Sequence, residues 1–237
     1  MNLQKPLRHK SYGSIPHFKG SRTAPSDKRV TPGQQRIMTE KTRDKHDLII
    51  VQEKLDGSNC SVAKINGKIY PLTRSGYIAS TSRYKQYIVF SHWVSNNYER
   101  FDKLLNEGER VVGEWLYQAH GTKYNLPHEP YVVFDLMTNH DRLIFKEFLE
   151  RVEKYNFIVP RMIYMGRTPQ PIEGVIKHIK NNLGGHGNID PVEGVVYRCE
   201  RKEKVDFLSK YVMNDKEDGK YLPEISGNDE VLNNYPK

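Results

Sequence analysis

The sequence contains only two cysteines, Cys60 and Cys199, which stand singly and far apart among 237 residues. Neither a disulfide framework nor a CxxC metal site is therefore expected. The nine histidines form no HExxH or similar paired spacing, which argues against the usual zinc motifs. No apolar run is long enough to span a bilayer, and the N-terminus lacks the apolar segment of a signal peptide. We expect a soluble, cytoplasmic protein without a membrane partner, and no obligate protein partner is evident.

Positive charge is abundant. The chain has 37 Lys and Arg against 29 Asp and Glu, which gives a formal net charge of +8, and it has 15 tyrosines. Basic residues are spread along the whole chain and are not gathered in one tail. This composition favours nucleic acid as the partner, although charge that only maintains solubility would look the same.

The two ends of the chain differ from its middle. Residues 1–45 hold few apolar residues, several prolines and many cations interleaved with Tyr12, His17 and Phe18. We expect an irregular basic arm, which either contacts nucleic acid or wraps the domain. Residues 46–212 have the apolar periodicity of a folded domain, and residues 213–237 read as a polar tail.

Strand patterns dominate the middle of the chain. The run LIIVQEK ends at Lys54 and is followed by the turn residues Asp56 and Gly57. Asn66-Gly67 favours a type I′ hairpin, and a second hairpin is predicted around Lys202-Glu203. Further strands are predicted in ERVVGEWLY, YVVFDLM and FIVPRMIYM, and helices over about 83–105, in KEFLERVEKYN and in PIEGVIKHIKNNL. The pattern predicts an α+β domain with antiparallel sheets.

Several of the predicted strands carry an ionic group inside or at the end of an apolar run. Buried charge is costly unless it is paired or bound to a ligand, so that many such groups from separate strands suggest one shared polar cleft. The groups are Lys54, Arg74, Glu114, Asp135, Glu193 and Lys210.

The runs that hold these groups resemble, in order and spacing, the motifs of the covalent nucleotidyltransferases, meaning polynucleotide ligases and messenger-RNA capping enzymes. The likeness covers about Leu48 to Val212 and is greatest to ATP-dependent RNA ligases of the nick-sealing type. EKLDGSN resembles their lysine motif, and LTRSG, GEWLY, YVVFDLM, VEGVVY and DFLSKYV resemble the motifs that follow. The resemblance implies an ATP-grasp-like nucleotidyltransferase domain, with antiparallel sheets flanked by helices and a central nucleotide cleft.

The resemblance also implies a reaction and a set of roles. The implied cofactors are ATP and Mg²⁺ or Mn²⁺, and the implied partner is RNA with a 3′-hydroxyl and a 5′-phosphate end. Lys54 would be the nucleophile that forms lysyl-AMP, and Glu193 would be a metal-associated carboxylate. Glu53 and Phe134 would hold adenine, and Glu114 the ribose. Arg74 and Lys210 would contact phosphate or the terminal ribose and help to lower the pKa of the lysine. Asn59 matches an asparagine of the RNA ligase branch, although for Asn59 and Asp56 a turn-forming hydrogen bond is an equal alternative.

One position departs from the pattern. The last motif of many ligases carries two lysines one residue apart, and here Leu208 occupies the earlier place, which leaves Lys210 and makes Lys202 and Lys204 candidate substitutes. Leu208 favours the alternative of a nucleic-acid-binding module that has weakened in catalysis. A DNA ligase or capping enzyme would use the same lysine, but the few residues after Val212 are too short for the barrel that usually follows in those enzymes.

Overall fold

The computed structural model describes residues 5–181 and 184–236, which pack as two compact units. One, the Glu114 unit, comprises the described residues up to Gly13 with Gly57–Gln118 and Glu129–Val159. The other, the Lys54 unit, comprises Ser14–Asp56, Ala119–His128 and the described residues from Pro160 onward. Within the described ranges, no helix combines the length and apolarity needed to cross a membrane.

The chain forms both helices and strands. In order they are α1 (Pro32–Thr39), β1 (Asp47–Lys54), β2 (Ser58–Ile65), β3 (Lys68–Thr73), α2 (Lys85–Asn96), α3 (Tyr98–Leu104), β4 (Glu109–Trp115), β5 (Tyr131–Thr138), β6 (Asp141–Arg142), α4 (Phe145–Glu153), β7 (Met162–Gly166), α5 (Ile172–Asn181), β8 (Gly194–Arg201), β9 (Lys204–Val212) and α6 (Pro223–Ser226). All the strand pairs of both sheets are antiparallel, as predicted.

The sheet of the Lys54 unit has the strand order β7-β1-β8-β9. Alternation along β1 sends Ile49 and Val51 into the core and leaves Gln52 and Lys54 on the opposite face. The core lies against α1 and α5 and is formed by Phe18, Met38, Ile49, Val51, Ile172, Val175, Ile179, Val192, Val195, Tyr197, Cys199 and Met213. The strand that carries Lys54 is thus fixed by apolar packing on one face.

Residues 14–45 contribute directly to this unit. Thr31 caps α1 through a capping box with Gln34, so this stretch contains a regular helix. Residues 16–18 run parallel to β9, because Lys210 donates its N–H to the carbonyl oxygen of Pro16 (3.0 Å) and accepts from the N–H of Phe18 (2.9 Å). The Phe18 ring is fully buried and meets Tyr197 edge-on at 4.9 Å. The arm therefore extends the sheet beside β9.

The sheet of the Glu114 unit has the order β3-β2-β4-β5-β6. Its first hairpin turns at Asn66 and Gly67, whose φ angles of 51° and 68° are those of the predicted type I′ turn. In the Lys54 unit, Lys202 and Glu203 have φ angles of 48° and 59°, so the second predicted hairpin is also confirmed. Both turns set the register of the strands that carry predicted site residues.

The helix predicted over about 83–105 is in fact two helices. Asn97 interrupts it with φ −108° and ψ 20°, and its side-chain Nδ2 donates to the carbonyl oxygen of Trp93 at 2.9 Å. An asparagine that bonds a nearby backbone carbonyl competes with helical hydrogen bonding. Phe90 and Phe101 are buried, whereas Tyr98, between them in the chain, is 45% exposed.

Three other stretches differ from their sequence patterns. The strand predicted in FIVPRMIYM begins only at Met162, after Pro160, which has no N–H to donate to a strand partner. The helix predicted in PIEGVIKHIKNNL is described to Asn181, and the two residues after it lie outside the described part of the chain. Residues after Val212 pack on the Lys54 unit, where Ala119 and Leu126 donate their N–H groups to the carbonyl oxygens of Val231 and Asn234 at 2.9 and 2.8 Å.

We expect Phe18→Ala to lower the free energy of unfolding by about 3–5 kcal/mol, because it empties a buried ring site in the core. Urea unfolding followed by circular dichroism measures this, with Lys19→Ala, an exposed neighbour, as the control. A loss below about 1 kcal/mol would show that the arm does not belong to the core.

Candidate active site

Lys54 lies at the end of β1, directly opposite Gly194 of β8. Its Nζ atom forms an ion pair with Oε2 of Glu193, and the two side chains are 20% and 11% exposed. The register brings the residues together, since Glu193 precedes the glycine that pairs with the lysine. A Cβ atom on Gly194 would come within 1.9 Å of the carbonyl oxygen of Tyr211, so this close strand approach requires glycine.

The pKa values of Glu193 and Asp56, two carboxylates near Lys54, are shifted in opposite directions. Burial raises the pKa of Glu193, and the nearby Lys54 charge opposes this effect. Burial also acts on Asp56, but the ammonium of Lys216, at 2.8 Å from Oδ2, keeps its pKa below the usual value. The same Oδ2 accepts the N–H of Gly121 at 2.8 Å. Asp56 is therefore a fixed carboxylate near Lys54. Its partners lie far along the chain, so these contacts are not the turn-forming hydrogen bond that was the alternative to a substrate contact.

Lys216 was not predicted, although it is buried and pairs with Asp56. Its Nζ also contacts the hydroxyl of Thr122. The lysine lies in the stretch that reads as a polar tail, where the surrounding run NDKEDGK carries no signal for burial. No single-sequence feature distinguishes it from the exposed lysines nearby.

Lys210 lies on the same face of the sheet as Lys54. The register places Gln52, Val196 and Lys210 in one row, and two residues along the strands it places Arg198 opposite Leu208. Arg198 is buried, and its Nε donates to Glu200 at 2.7 Å. The cation beside Leu208 is therefore an arginine of β8.

Lys202 and Lys204 do not replace the missing lysine. Both lie at the turn of the β8–β9 hairpin, whereas Lys54 pairs with Gly194 at its other end. Seven strand residues at about 3.3 Å each separate the two ends by roughly 23 Å. A lysine side chain is far too short to reach across that length.

His17 was also missed as a neighbour of the site. It pairs with Lys210 in the parallel bridge, is buried, and its Nδ1 lies 2.8 Å from the Ser21 hydroxyl. Burial, followed by the charge of Lys210, lowers the pKa of His17 to about 4. A neutral imidazole thus lies next to Lys210, and its place in a proline-rich basic arm gave no periodic signal.

Glu53, the residue before the lysine, faces a small polar site. Its Oε2 accepts the N–H of Gly185 at 2.7 Å, while Oε1 is buried without a hydrogen bond of good geometry. The side-chain amide of nearby Asn188 is also buried and faces the same carboxylate without a hydrogen bond of good geometry. Burial raises the pKa of Glu53 against the opposing effects of the Gly185 N–H, of Arg161 and of the Asn188 side chain. Buried polar atoms that lack well-formed hydrogen bonds in one place indicate a ligand with complementary donors and acceptors.

A pair of histidines, of which His186 is buried, lies beside the segment that contacts Glu53. Nε2 of His128 lies 2.7 Å from Nδ1 of His186, and Nε2 of His186 accepts the N–H of Arg161 at 3.2 Å. The carbonyl oxygen of Arg161 in turn accepts the N–H of Glu53 at 3.0 Å. Burial lowers the pKa of His186 to about 3, so the imidazole is a neutral acceptor that orients the segment beside Glu53.

The Glu114 unit brings together the remaining predicted residues. Asn59 of β2 pairs directly with Glu114 of β4, which places their side chains on one face of the sheet. Arg74 follows the end of β3, and its carbonyl oxygen accepts the N–H of Ser11 at 3.0 Å. Phe134 is the extra residue of a β-bulge in β5, because Val112 pairs with Asp135 and the next residue of β4 pairs with Val133. Bulges of this kind redirect a side chain.

Two residues of this unit have structural explanations. The buried carboxylate of Asp135 accepts the Tyr12 hydroxyl at 2.7 Å and pairs with Arg142 at 3.0 Å, so it is satisfied within the protein. Gly57, named above as a turn residue, does not adopt positive φ. Instead it is needed for close packing, since a Cβ there would lie 2.7 Å from the carbonyl oxygen of Trp115.

A divalent cation would have few protein ligands here. Over residues 5–181 and 184–236, no three His, Cys, Asp or Glu side chains converge as a metal site. Glu193 fits as a single hard oxygen ligand, which is the usual way in which Mg²⁺ is bound when substrate phosphates complete its shell.

The chain is similar to known proteins in sequence and in fold. A family model described as RNA ligase matches residues 47–212. The structure of an archaeal ATP-dependent RNA ligase is similar with a TM-score of 0.52 at 15% identity, covering 85% of this chain and 48% of that one. An RNA ligase of Naegleria gruberi, solved as a mutant with ATP and Mn, is similar with a TM-score of 0.53 at 15% identity, covering 90% of this chain and 60% of that one.

One curated relative matches a short segment. A protein of Methanocaldococcus jannaschii, described as uncharacterized, is 43% identical over 44 residues, which is 18% of this chain and 11% of that protein. The chain thus spans about half to three fifths of the two ligase structures and a small part of this relative. At 15% identity, the likeness to the two ligase structures establishes the fold alone.

We expect His186 to lower the free energy of unfolding as the pH decreases below neutral. Its pKa is about 3 in the folded protein and 6.5 in a free side chain. The unfolded chain therefore binds an extra proton between these values, and the free energy of unfolding decreases as pH falls through 6.5.

At about pH 5.5 this one group lowers the free energy of unfolding by roughly 1 kcal/mol relative to pH 7.5. Urea unfolding of wild type and His186→Gln at both pH values measures the effect, and the variant should lose that part of the pH dependence. His92→Gln, at an exposed position, serves as the control. An equal pH dependence in wild type and His186→Gln would contradict the assignment.

Proposed function

This chain belongs to the RNA ligase family, and on that premise we propose that it is an ATP-dependent RNA ligase, which joins 3′-hydroxyl and 5′-phosphate RNA ends through lysyl-AMP at Lys54. The observation that carries the proposal is the ion pair of Lys54 and Glu193 at adjoining ends of β1 and β8. It holds the lysine at a strand end where a nucleotide can approach. Residues 46–212 are proposed to carry the chemistry.

The first step is attack by Nζ of Lys54 on the α-phosphorus of ATP. An N–P bond forms, the bond to the bridging oxygen breaks, and pyrophosphate leaves. The amine must first lose a proton, and Glu193, in contact with Nζ and with a pKa raised by burial, is placed to accept it. Lys210, on the same face of the sheet, is proposed to neutralise phosphate charge.

AMP then passes from the lysine to the RNA. A 5′-phosphate oxygen attacks the same phosphorus, the N–P bond breaks, and the RNA end becomes adenylated. In the last step the 3′-hydroxyl attacks the 5′-phosphorus, a phosphodiester forms and AMP leaves. Both steps develop negative charge on phosphate oxygens, which cations of the site would stabilise.

Nucleotide recognition is proposed to rest on Glu53 and on the Glu114 unit. The unbonded Oε1 of Glu53 and the amide of Asn188 offer acceptors and a donor to the edge of adenine. For Phe134 we propose stacking on a base, and for Glu114 a hydrogen bond to ribose hydroxyls. Asn59 and Arg74 are assigned contacts with the nucleotide and its phosphate or terminal ribose.

Glu193 is proposed as the protein ligand of Mg²⁺ or Mn²⁺. The bound cation would withdraw charge from the phosphate oxygens, and the Naegleria gruberi ligase solved with ATP and Mn supports this use of metal.

We expect Lys54→Ala and Lys54→Arg to abolish covalent labelling by α-³²P-ATP, because neither side chain supplies an amine nucleophile. Labelling is read on a denaturing gel and as a mass increase of one AMP. Lys177→Ala, at an exposed position of α5, should label as wild type does. Label retained in Lys54→Ala would refute the nucleophile, and RNA binding without any adenylate in wild type would favour a module that only binds nucleic acid.

We expect Glu193→Gln to slow adenylylation by about 100-fold and to raise the metal concentration needed for half-maximal rate, since it removes both the proton acceptor and the anionic ligand. Rates measured across a magnesium titration test this, with Glu173→Gln on α5 as the control. An unaltered metal dependence would remove Glu193 from the metal site.

A further inference from the structure

A cavity of about 420 Å³ opens in the Glu114 unit between the turn after β3 and the start of α2. Its walls include three tyrosines, Tyr77, Tyr84 and Tyr87, and two arginines, Arg74 and Arg83, together with serine and threonine hydroxyls. We call it the tyrosine pocket. Its volume lies within the range of about 300–1,000 Å³ that is usual for small-ligand sites and can admit one nucleotide.

Tyr84 is an exposed aromatic side chain of the pocket, and its hydroxyl accepts a hydrogen bond from Arg83 at 2.7 Å. It is 42% exposed, and its ring meets Tyr87 edge-on at 6.4 Å and lies beneath the Arg83 guanidinium at 4.9 Å. It occupies the N-cap position of α2 without a capping hydrogen bond from its side chain. An exposed ring next to a cation is the usual platform on which an unpaired base stacks.

The surroundings of the pocket favour an anion. The residues that line it include two cations, Arg74 and Arg83, and no Asp or Glu. A ligand that combines a flat apolar face with negative charge fits this lining, and a nucleotide within a polynucleotide strand has both.

One wall of the pocket packs against residues 5–13. Gly76 turns the chain at φ +87°, and a Cβ there would lie 2.2 Å from the carbonyl oxygen of His9. The ammonium of Lys5 lies 5.2 Å from the centre of the Tyr77 ring. The segment that bears Arg74 and Tyr77 is thus held by residues 5–13, which lowers the entropy lost when a ligand orders the site.

We propose that the tyrosine pocket binds an unstacked nucleobase of the RNA substrate, with the base on Tyr84 and the flanking phosphates beside Arg74 and Arg83. The proposal names where the substrate strand is held and rests on the proposed ligase function for its choice of RNA. Stacking does not depend on base identity, so the pocket would bind any sequence.

Binding of a short fluorescent single-stranded RNA, followed by anisotropy at fixed salt, tests the proposal. Tyr84→Ala should weaken binding by about 5- to 150-fold, which is the range for loss of one base–aromatic stack. Tyr84→Trp and Tyr84→Phe should retain most of the affinity, because both keep a ring. Tyr98→Ala, which removes an equally exposed ring of the same unit, should bind as wild type does. Circular dichroism of each variant verifies folding.

Three results would overturn the proposal. Affinity could be equal in wild type and Tyr84→Ala, or Tyr84→Phe could lose as much as Tyr84→Ala, which would assign the effect to the hydroxyl. Tyr84→Ala could also raise the KM for ATP while RNA affinity stays constant, which would make the pocket a mononucleotide site.

The outcome is separable from that of the proposed function. If wild type adenylylates and seals but Tyr84→Ala binds RNA normally, the pocket is refuted and the ligase stands. If wild type forms no adenylate but binds RNA in a manner that depends on Tyr84, the ligase is refuted and the pocket stands.

Discussion

The ion pair of Lys54 and Glu193 is the constraint around which the Lys54 unit is organised. Both side chains are largely removed from solvent, and such burial costs several kcal/mol per ion before the attraction between them offsets it. A buried pair is therefore weak evidence for stability. The fold brings it about at a strand end through one register, Lys54 opposite Gly194, and through a glycine that no other residue can replace. The cost of burial, the register and the required glycine are explained if the ion pair takes part in catalysis.

Segments outside the motif-bearing core complete this arrangement. The arm adds backbone hydrogen bonds along β9 and places neutral His17 beside Lys210. Residues after Val212 supply Lys216, which compensates the buried charge of Asp56 close to Lys54 along the chain. Each segment is polar and irregular in sequence, yet each satisfies a group that the sheet alone would leave uncompensated. In this respect the two ends of the chain are part of the site.

Local rules explain which parts of the structure could be predicted from the sequence. Asn66-Gly67 and the short loop at Lys202-Glu203 determine hairpins through backbone conformation alone, and strand alternation needs only neighbouring residues. The break at Asn97 depends on one side-chain hydrogen bond, and the burial of Lys216 on a partner 160 residues away in the chain. Such contacts leave no periodic trace. Charges within apolar runs marked the candidate site, but their division into two units could not be read from spacing.

Leu208 can now be explained by its cross-strand partner. Arg198 lies directly opposite it, where Cβ atoms of paired residues are about 5 Å apart. A lysine at position 208 would place two like charges against each other on a buried face, which destabilises a sheet. With leucine there, the face keeps one cation at this row, paired with Glu200, and Lys210 in the next row. Positive charge is thus present at this row on β8 although β9 has none there, so Leu208 alone does not distinguish a catalytically weakened module from an active ligase.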